Sequence, residues 1–165
     1  FSPQFVENKL KFSPYVGECV ALGQGREFVT ALVCIRFSIV AKWAEKNRLA
    51  FTTYSDLSAR DEVAALLRRE VETVNAQLPE NQRVRRFFLL YKELDADDGE
   101  LTRTRKVRRG FIGERYQVLL DALYGGKTEQ YIETQVKFED GRTGMVSATL
   151  KIADAKTFPA MQKAA

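Results

Sequence analysis

Histidine is absent from the 165 residues of this chain. That removes Ser-His-Asp and Cys-His nucleophilic pairs, histidine-ligated zinc, and any imidazole acid or base of the chain's own. Whatever chemistry it supports must run through lysine, carboxylates, hydroxyls or the backbone. Cysteine is nearly as scarce. Cys19 and Cys34 are the only two, too few for a disulfide-rich scaffold and without metal-ligand spacing. Both stand in apolar stretches, which predicts reduced, buried thiols. Long apolar runs are missing as well: Ala31–Ile35 and Phe87–Tyr91 are five residues each, against the roughly 20 needed to span a bilayer. With no transmembrane segment and no recognisable secretory leader, the expected compartment is cytoplasmic. The chain begins with Phe1 rather than Met, and the expectation is a fragment of something longer.

What is present describes a folding domain. Lys and Arg number 26 against 22 Asp and Glu, a formal net charge of +4, and 45% of residues are hydrophobic. Such a chain is neither disordered nor low-complexity. At this length one domain is expected, burying roughly 70% of its unfolded surface.

The local signals give an order of elements. Ser2-Pro3 is a hydroxyl N-cap followed by proline at the first helical position, predicting a helix to about Lys11. Glu18–Leu22 and Phe28–Arg36 are β-rich and joined by Gly23-Gln24-Gly25-Arg26, which predicts a hairpin. In that register Cys19 sits opposite residue 32, out of step with Cys34, and a direct bridge is disfavoured. A short helix starts at Ser38. Val63, Leu66, Leu67, Val71, Val74 and Leu78 form one apolar stripe, predicting a helix over residues 61–78. Arg86–Tyr91 reads as a buried strand. Phe111, Ile112, Tyr116, Leu119, Leu120 and Leu123 form a second stripe, read as one helix stopped by Gly125-Gly126. Ile132–Phe138 and Val146–Ile152 alternate apolar and polar residues around Asp140-Gly141, an amphipathic hairpin. The fold class is α+β: a small, mostly antiparallel sheet flanked by helices, with an added C-terminal β-hairpin.

One segment carries unusual charge. Glu93, Asp95, Asp97, Asp98 and Glu100 place five acids within eight residues; Leu101–Arg109 then holds five bases in nine residues with no acid. A solvated loop, a basic surface for nucleic acid or a nuclear-import receptor, and a lysine held to neutralise phosphate or carboxylate all fit this composition. Against nucleic acid, the neighbouring acids oppose the field, and the strands offer no exposed aromatic ladder.

Ser2-Pro3-Gln4-Phe5-Val6-Glu7-Asn8-Lys9-Leu10-Lys11, followed by Ser13-Pro14-Tyr15-Val16 and a hairpin, resembles the start of the C-terminal lid of an AMP-forming acyl-CoA synthetase of the adenylate-forming superfamily. Leu101–Arg109 resembles that family's late lysine motif, P-x-x-x-x-G-K-[IL]-x-R-R, with the motif lysine falling on Lys106. Leu94-Asp95, Gly99-Glu100-Leu101-Thr102, Glu114-Arg115-Tyr116 and Ala122-Leu123-Tyr124 resemble the long-chain fatty acyl branch. The motif glycine is replaced by Arg105 and the motif proline by Arg103. The family's Ser/Thr/Gly-rich ATP loop, its adenine motif and its ribose-binding aspartate have no counterpart here.

The resemblance implies a lid domain over residues 1–158 with a frayed tail at 159–165, the N-terminal adenylation domain and hinge being absent. It implies a mobile lid of an ATP-dependent fatty acid–CoA ligase, with Lys106 as the catalytic lysine for acyl-adenylate formation. The lid would then rotate so that CoA can attack, with Arg26 a candidate contact to a CoA phosphate. Fatty acid, ATP and CoA are the implied substrates, and Mg accompanies ATP in the full-length enzyme. The lid's partner is its own N-terminal domain, and the full-length enzyme would be cytoplasmic, with peripheral membrane association a further expectation. This chain alone is expected to bind none of these ligands tightly and to be inactive. The alternative is a basic, non-catalytic binding module for nucleic acid or an acidic partner.

Overall fold

The structure is a computed structural model that describes residues 1–158; the expected tail at 159–165 lies outside the described residues. Its elements are α1 (Pro3–Leu10), β1 (Val16–Leu22), β2 (Val29–Ile35), α2 (Phe37–Lys46), α3 (Tyr54–Ser58), α4 (Asp61–Asn75), β3 (Val84–Leu89), α5 (Arg109–Arg115), α6 (Gln117–Tyr124), β4 (Glu129–Lys137) and β5 (Thr143–Asp154). The strands form one five-stranded sheet in the order β1-β2-β3-β5-β4. Only β2 and β3 run parallel among these pairs; the others are antiparallel. The α+β expectation therefore holds, and the C-terminal hairpin joins the sheet through β3 and β5.

Strand alternation sorts the core into two halves. Val16, Cys19 and Ala21 of β1, with Ala31, Val33 and Ile35 of β2, face α1, α2 and α4. Val20 and Leu22 of β1, with Leu32 and Cys34 of β2, face α5, α6 and the segment that precedes them. The two thiols thus lie on opposite faces of the sheet. Both are free and buried, as expected. Cys19 pairs with Val33 rather than residue 32, because the register shifts between Val16 and Cys19. Facing, more than register, separates the sulfurs.

The caps explain where helices begin and end. Ser2 Oγ accepts from Phe5 N at 3.4 Å, and Pro3 opens α1. The stripe expected to run helically to residue 78 leaves the helix after Asn75. There the side chain turns to β3: Asn75 Nδ2 donates to Val84 O and Oδ1 accepts from Val84 N, both at 2.8 Å. Leu78 is still buried, from a turn. The second stripe is likewise not one helix. Tyr116, at φ −107° and ψ 25°, separates α5 from α6. An apolar period survives such a break, so it cannot reveal it. The short α3 and a 3-10 turn at Glu80–Gln82 carried no distinct sequence signal.

Candidate functional site

Between β3 and α5 the chain crosses one sheet face and builds a small hairpin. Leu101 bridges Val107, Thr102 N donates to Lys106 O at 2.8 Å, and Arg105 N donates to Thr102 O at 2.9 Å. This is a three-residue loop, Arg103-Thr104-Arg105, whose last residue must be left-handed. Arg105 takes φ 65°. Glycine is the usual residue at such a position; the backbone adopts it here with an arginine side chain. Lys106 follows at once. It is exposed, its N–H donates to Thr102 Oγ1 at 3.0 Å, and its ammonium enters no ion pair among the described residues.

The base of the hairpin is locked by two buried carboxylates. Glu100, with no exposed surface, accepts from Lys92 Nζ at 2.5 Å and from Asp95 N at 3.0 Å. Tyr116 Oη donates to its other oxygen. Arg115 Nε lies 3.0 Å from that same oxygen, an ion pair not aligned as a hydrogen bond. Burial, reinforced by the Glu100 charge, pushes the Tyr116 phenol well above its ordinary value. Lys92 also reaches Asp98 at 3.2 Å, and Asp98 Oδ1 accepts from Lys137 N at 2.9 Å.

Glu7 is the second anchor. Arg109 grips it with two nitrogens, Nη2 to Oε1 at 3.0 Å and Nη1 to Oε2. Glu7 Oε2 also accepts from Ala21 N at 2.7 Å, and Arg109 Nη1 donates to Ala21 O at 3.2 Å. The hydrogen bond to Glu7 raises the Arg109 pKa above its ordinary value. The pair thereby covers backbone of the edge strand β1, where open N–H and C=O groups invite unwanted pairing. Arg108 N donates to Glu100 O at 2.9 Å and Nη1 to Gly99 O at 2.8 Å. Arg108 and Arg109 therefore anchor the loop and open α5. The acid-rich run folds into a turn, in which Gly99 N and Glu100 N donate to Ala96 O and Asp95 O, each at 3.0 Å.

Arg26 stands elsewhere. Its guanidinium lies 4.7 Å from the Tyr124 ring centroid, and Tyr124 Oη donates to Phe28 O at 2.6 Å. The turn needs Gly23: at φ 123° a Cβ there would lie 2.4 Å from Tyr124 Oη. Arg26 lines a cleft of about 300 Å³ with Phe1, Pro3, Gln24 and Arg109. No hydrogen bond or ion pair among the described residues joins it to Lys106. Sequence reasoning did not find Glu100, Lys92, Glu7 or Tyr116 as parts of one site. A carboxylate in a run of acids carries no mark of burial.

No helix among the described residues is long and apolar enough to cross a membrane. The model of the AMP-binding enzyme C-terminal domain matches residues 1–128, a span that includes the hairpin and α6. Over 124 residues the chain is 27% identical to the long-chain-fatty-acid–CoA ligase FadD15 of Mycobacterium tuberculosis, covering 74% of this chain and 21% of that protein. It is 26% identical over 141 residues to the long-chain-fatty-acid–CoA ligase ACSBG2 of Mus musculus, covering 74% and 21%. The chain thus spans about a fifth of the length of the curated relatives it matches. Among solved structures, the A-PCP didomain of carboxylic acid reductase from Segniliparus rugosus, in complex with AMP, superposes with a TM-score of 0.59 at 20% identity, over 75% of this chain and 16% of that one. At that identity the likeness is one of fold. By the span and content of the family match, the chain belongs to the AMP-binding enzyme C-terminal domain family.

Proposed function

We propose that this domain is the mobile lid of an ATP-dependent long-chain fatty acid–CoA ligase, and that Lys106 is the cation it delivers to acyl-adenylate formation. The observation that carries this reading is the exposed Lys106, directly after the three-residue loop of a hairpin whose base is fixed by buried charge. The chemistry explains why such a device is useful. A fatty carboxylate must approach a polyanionic phosphate before an oxygen–phosphorus bond forms and pyrophosphate leaves. Catalysis is then largely positioning and charge neutralisation. A lysine is a compact charge on a flexible stem, able to bridge carboxylate and phosphate oxygens without a fixed fork. In the second step the CoA thiol attacks the adenylate, and the lysine must withdraw. Rotation of the whole lid about its hinge to the N-terminal adenylation domain provides both states.

Arg26 is proposed to meet a CoA phosphate in the rotated state. Its support is an exposed guanidinium, stacked on Tyr124, at the rim of a cleft. Arg109 shares that cleft but is taken by Glu7. No grouping of His, Cys, Asp and Glu among the described residues is suited to hold a metal ion. The described residues therefore do not by themselves fit a Mg site.

The test is single-turnover kinetics of Lys106→Ala in the full-length ligase, following pyrophosphate release and acyl-CoA appearance separately. Adenylation is expected to slow by about 10²–10³, as for loss of one preorganised donor. The thioester step, started from supplied acyl-adenylate, is expected to change far less. Equal slowing of both steps would make the lysine structural. If neither step slowed, the non-catalytic basic module would be the better account.

A further inference from the structure

Glu100 touches both stems of the Lys106 hairpin. Its carboxylate ties the incoming stem to Lys92, just past β3, and to Arg115 and Tyr116 at the α5–α6 break. Its carbonyl accepts from Arg108 N at 2.9 Å, two residues beyond Lys106 on the outgoing stem. Leu101, the next residue, bridges Val107. Stability alone is a weak reason to bury a carboxylate among two cations. Desolvation opposes the attraction, and apolar replacements of such clusters are often neutral or better. A fixed geometry is a stronger reason: a carboxylate with several directional partners specifies one placement, where packed methyl groups tolerate many.

We propose that Glu100 is the positioning residue of Lys106: its buried carboxylate fixes the hairpin against β3 and the α5–α6 break so that the lysine projects at one height and angle. The Tyr116 break then has a role, since it turns the phenol to the carboxylate and ends α5 beneath the hairpin. This inference rests on the reading of Lys106 as the adenylation lysine.

The experiment is a double-mutant cycle in the full-length ligase. Glu100→Gln keeps the shape and removes the charge. It is expected to slow pyrophosphate release by about tenfold to a hundredfold, the scale of an ångström-level misplacement. The thioester step from supplied acyl-adenylate and the KM for ATP should stay unchanged. In a Lys106→Ala background the same change should cost adenylation nothing further. Additive slowing in that background, or equal slowing of both half-reactions, would reduce Glu100 to a structural residue and overturn the proposal. Should Glu100→Gln fail to fold, Tyr116→Phe removes a single donor and should show the same step-selectivity at smaller size; wild-type adenylation by that variant would overturn the proposal. A Lys106→Ala enzyme with normal adenylation would instead break the lid reading itself, before Glu100 is touched.

Discussion

Two hairpins of this domain share one turn geometry and are held in opposite ways. In the C-terminal hairpin Phe138 N donates to Arg142 O at 2.8 Å and Gly141 N to Phe138 O at 2.9 Å. Thr102, Arg105 and Lys106 repeat that pattern at 2.8 and 2.9 Å. The left-handed residue is Gly141 at φ 86° in one and Arg105 at φ 65° in the other. The C-terminal turn closes a long ladder that runs from Glu129–Lys151 to Lys137–Thr143. The Lys106 turn closes a single bridge, Leu101–Val107. One hairpin is secured by its own strands and a permissive glycine. The other keeps a strained side-chain-bearing residue and relies on the charges beneath it. Strain of this kind persists where surrounding structure over-determines it, often where a functional group is presented.

Removing the anchor should show the difference most clearly. Glu100→Ala leaves Lys92 with Asp98 and the Glu93 carbonyl, takes the paired carboxylate from Arg115, and leaves the buried Tyr116 hydroxyl without its acceptor. A loss of about 3–5 kcal/mol is expected in urea unfolding. A loss below about 1 kcal/mol would mean that the hairpin stands without its anchor, as its C-terminal counterpart does.

Exchanging the left-handed residues is expected to have an intermediate effect of opposite signs. Gly141→Arg has open space for its Cβ, so its cost should be purely conformational, about 1–2 kcal/mol. Arg105→Gly relieves the same strain, offset by the greater freedom of glycine in the unfolded chain. A gain of no more than about 1 kcal/mol in thermal unfolding is expected. Loss of stability in Arg105→Gly would show that the Arg105 side chain, 3.9 Å from Glu18, outweighs the backbone term.

The smallest effect belongs to the exposed ion pair beside the C-terminal turn. Arg142 first, by its side chain and then its backbone N–H, holds the Asp140 carboxyl below its ordinary value of 3.8. A carboxyl whose pKa is lowered on folding stabilises the fold above its unfolded pKa, and that contribution fades as pH falls through the lowered value. The stability difference between the native protein and Asp140→Asn should therefore be small and flat near neutrality and close below 3.8. A difference that grew in acid would reverse the sign of this contribution.

The sequence disclosed what local chemistry decides. Ser2-Pro3 announced α1 and Asp140-Gly141 announced the C-terminal turn, because caps and turns are written in adjacent residues. Period-two alternation announced β4 and β5. The parallel pairing of β2 with β3 was not legible, since it depends on a crossover of nearly fifty residues through α2, α3 and α4. At the candidate site, the motif resemblance marked Lys106, and substitution of the motif glycine by Arg105 looked like a departure. The left-handed φ at Arg105 shows that the backbone keeps the conformation a glycine would favour. Glu100 was hidden for a different reason: among five acids in eight residues, nothing local says which one the fold will bury.

The central claim is that a single positive charge at the reach of Lys106 serves adenylation, and chemical rescue tests it most directly. Lys106→Cys in the full-length ligase is treated with 2-bromoethylamine, so that the thiolate sulfur displaces bromide and carries an aminoethyl group ending in an ammonium. Cys19 and Cys34 should react little in the native fold, since burial pushes both thiols up, Cys34 to about 12. The account predicts that pyrophosphate release, lost in the unmodified variant, returns on alkylation. It also predicts that the thioester step from supplied acyl-adenylate is unaffected before and after. Complete alkylation at position 106 with no recovery of adenylation would contradict it.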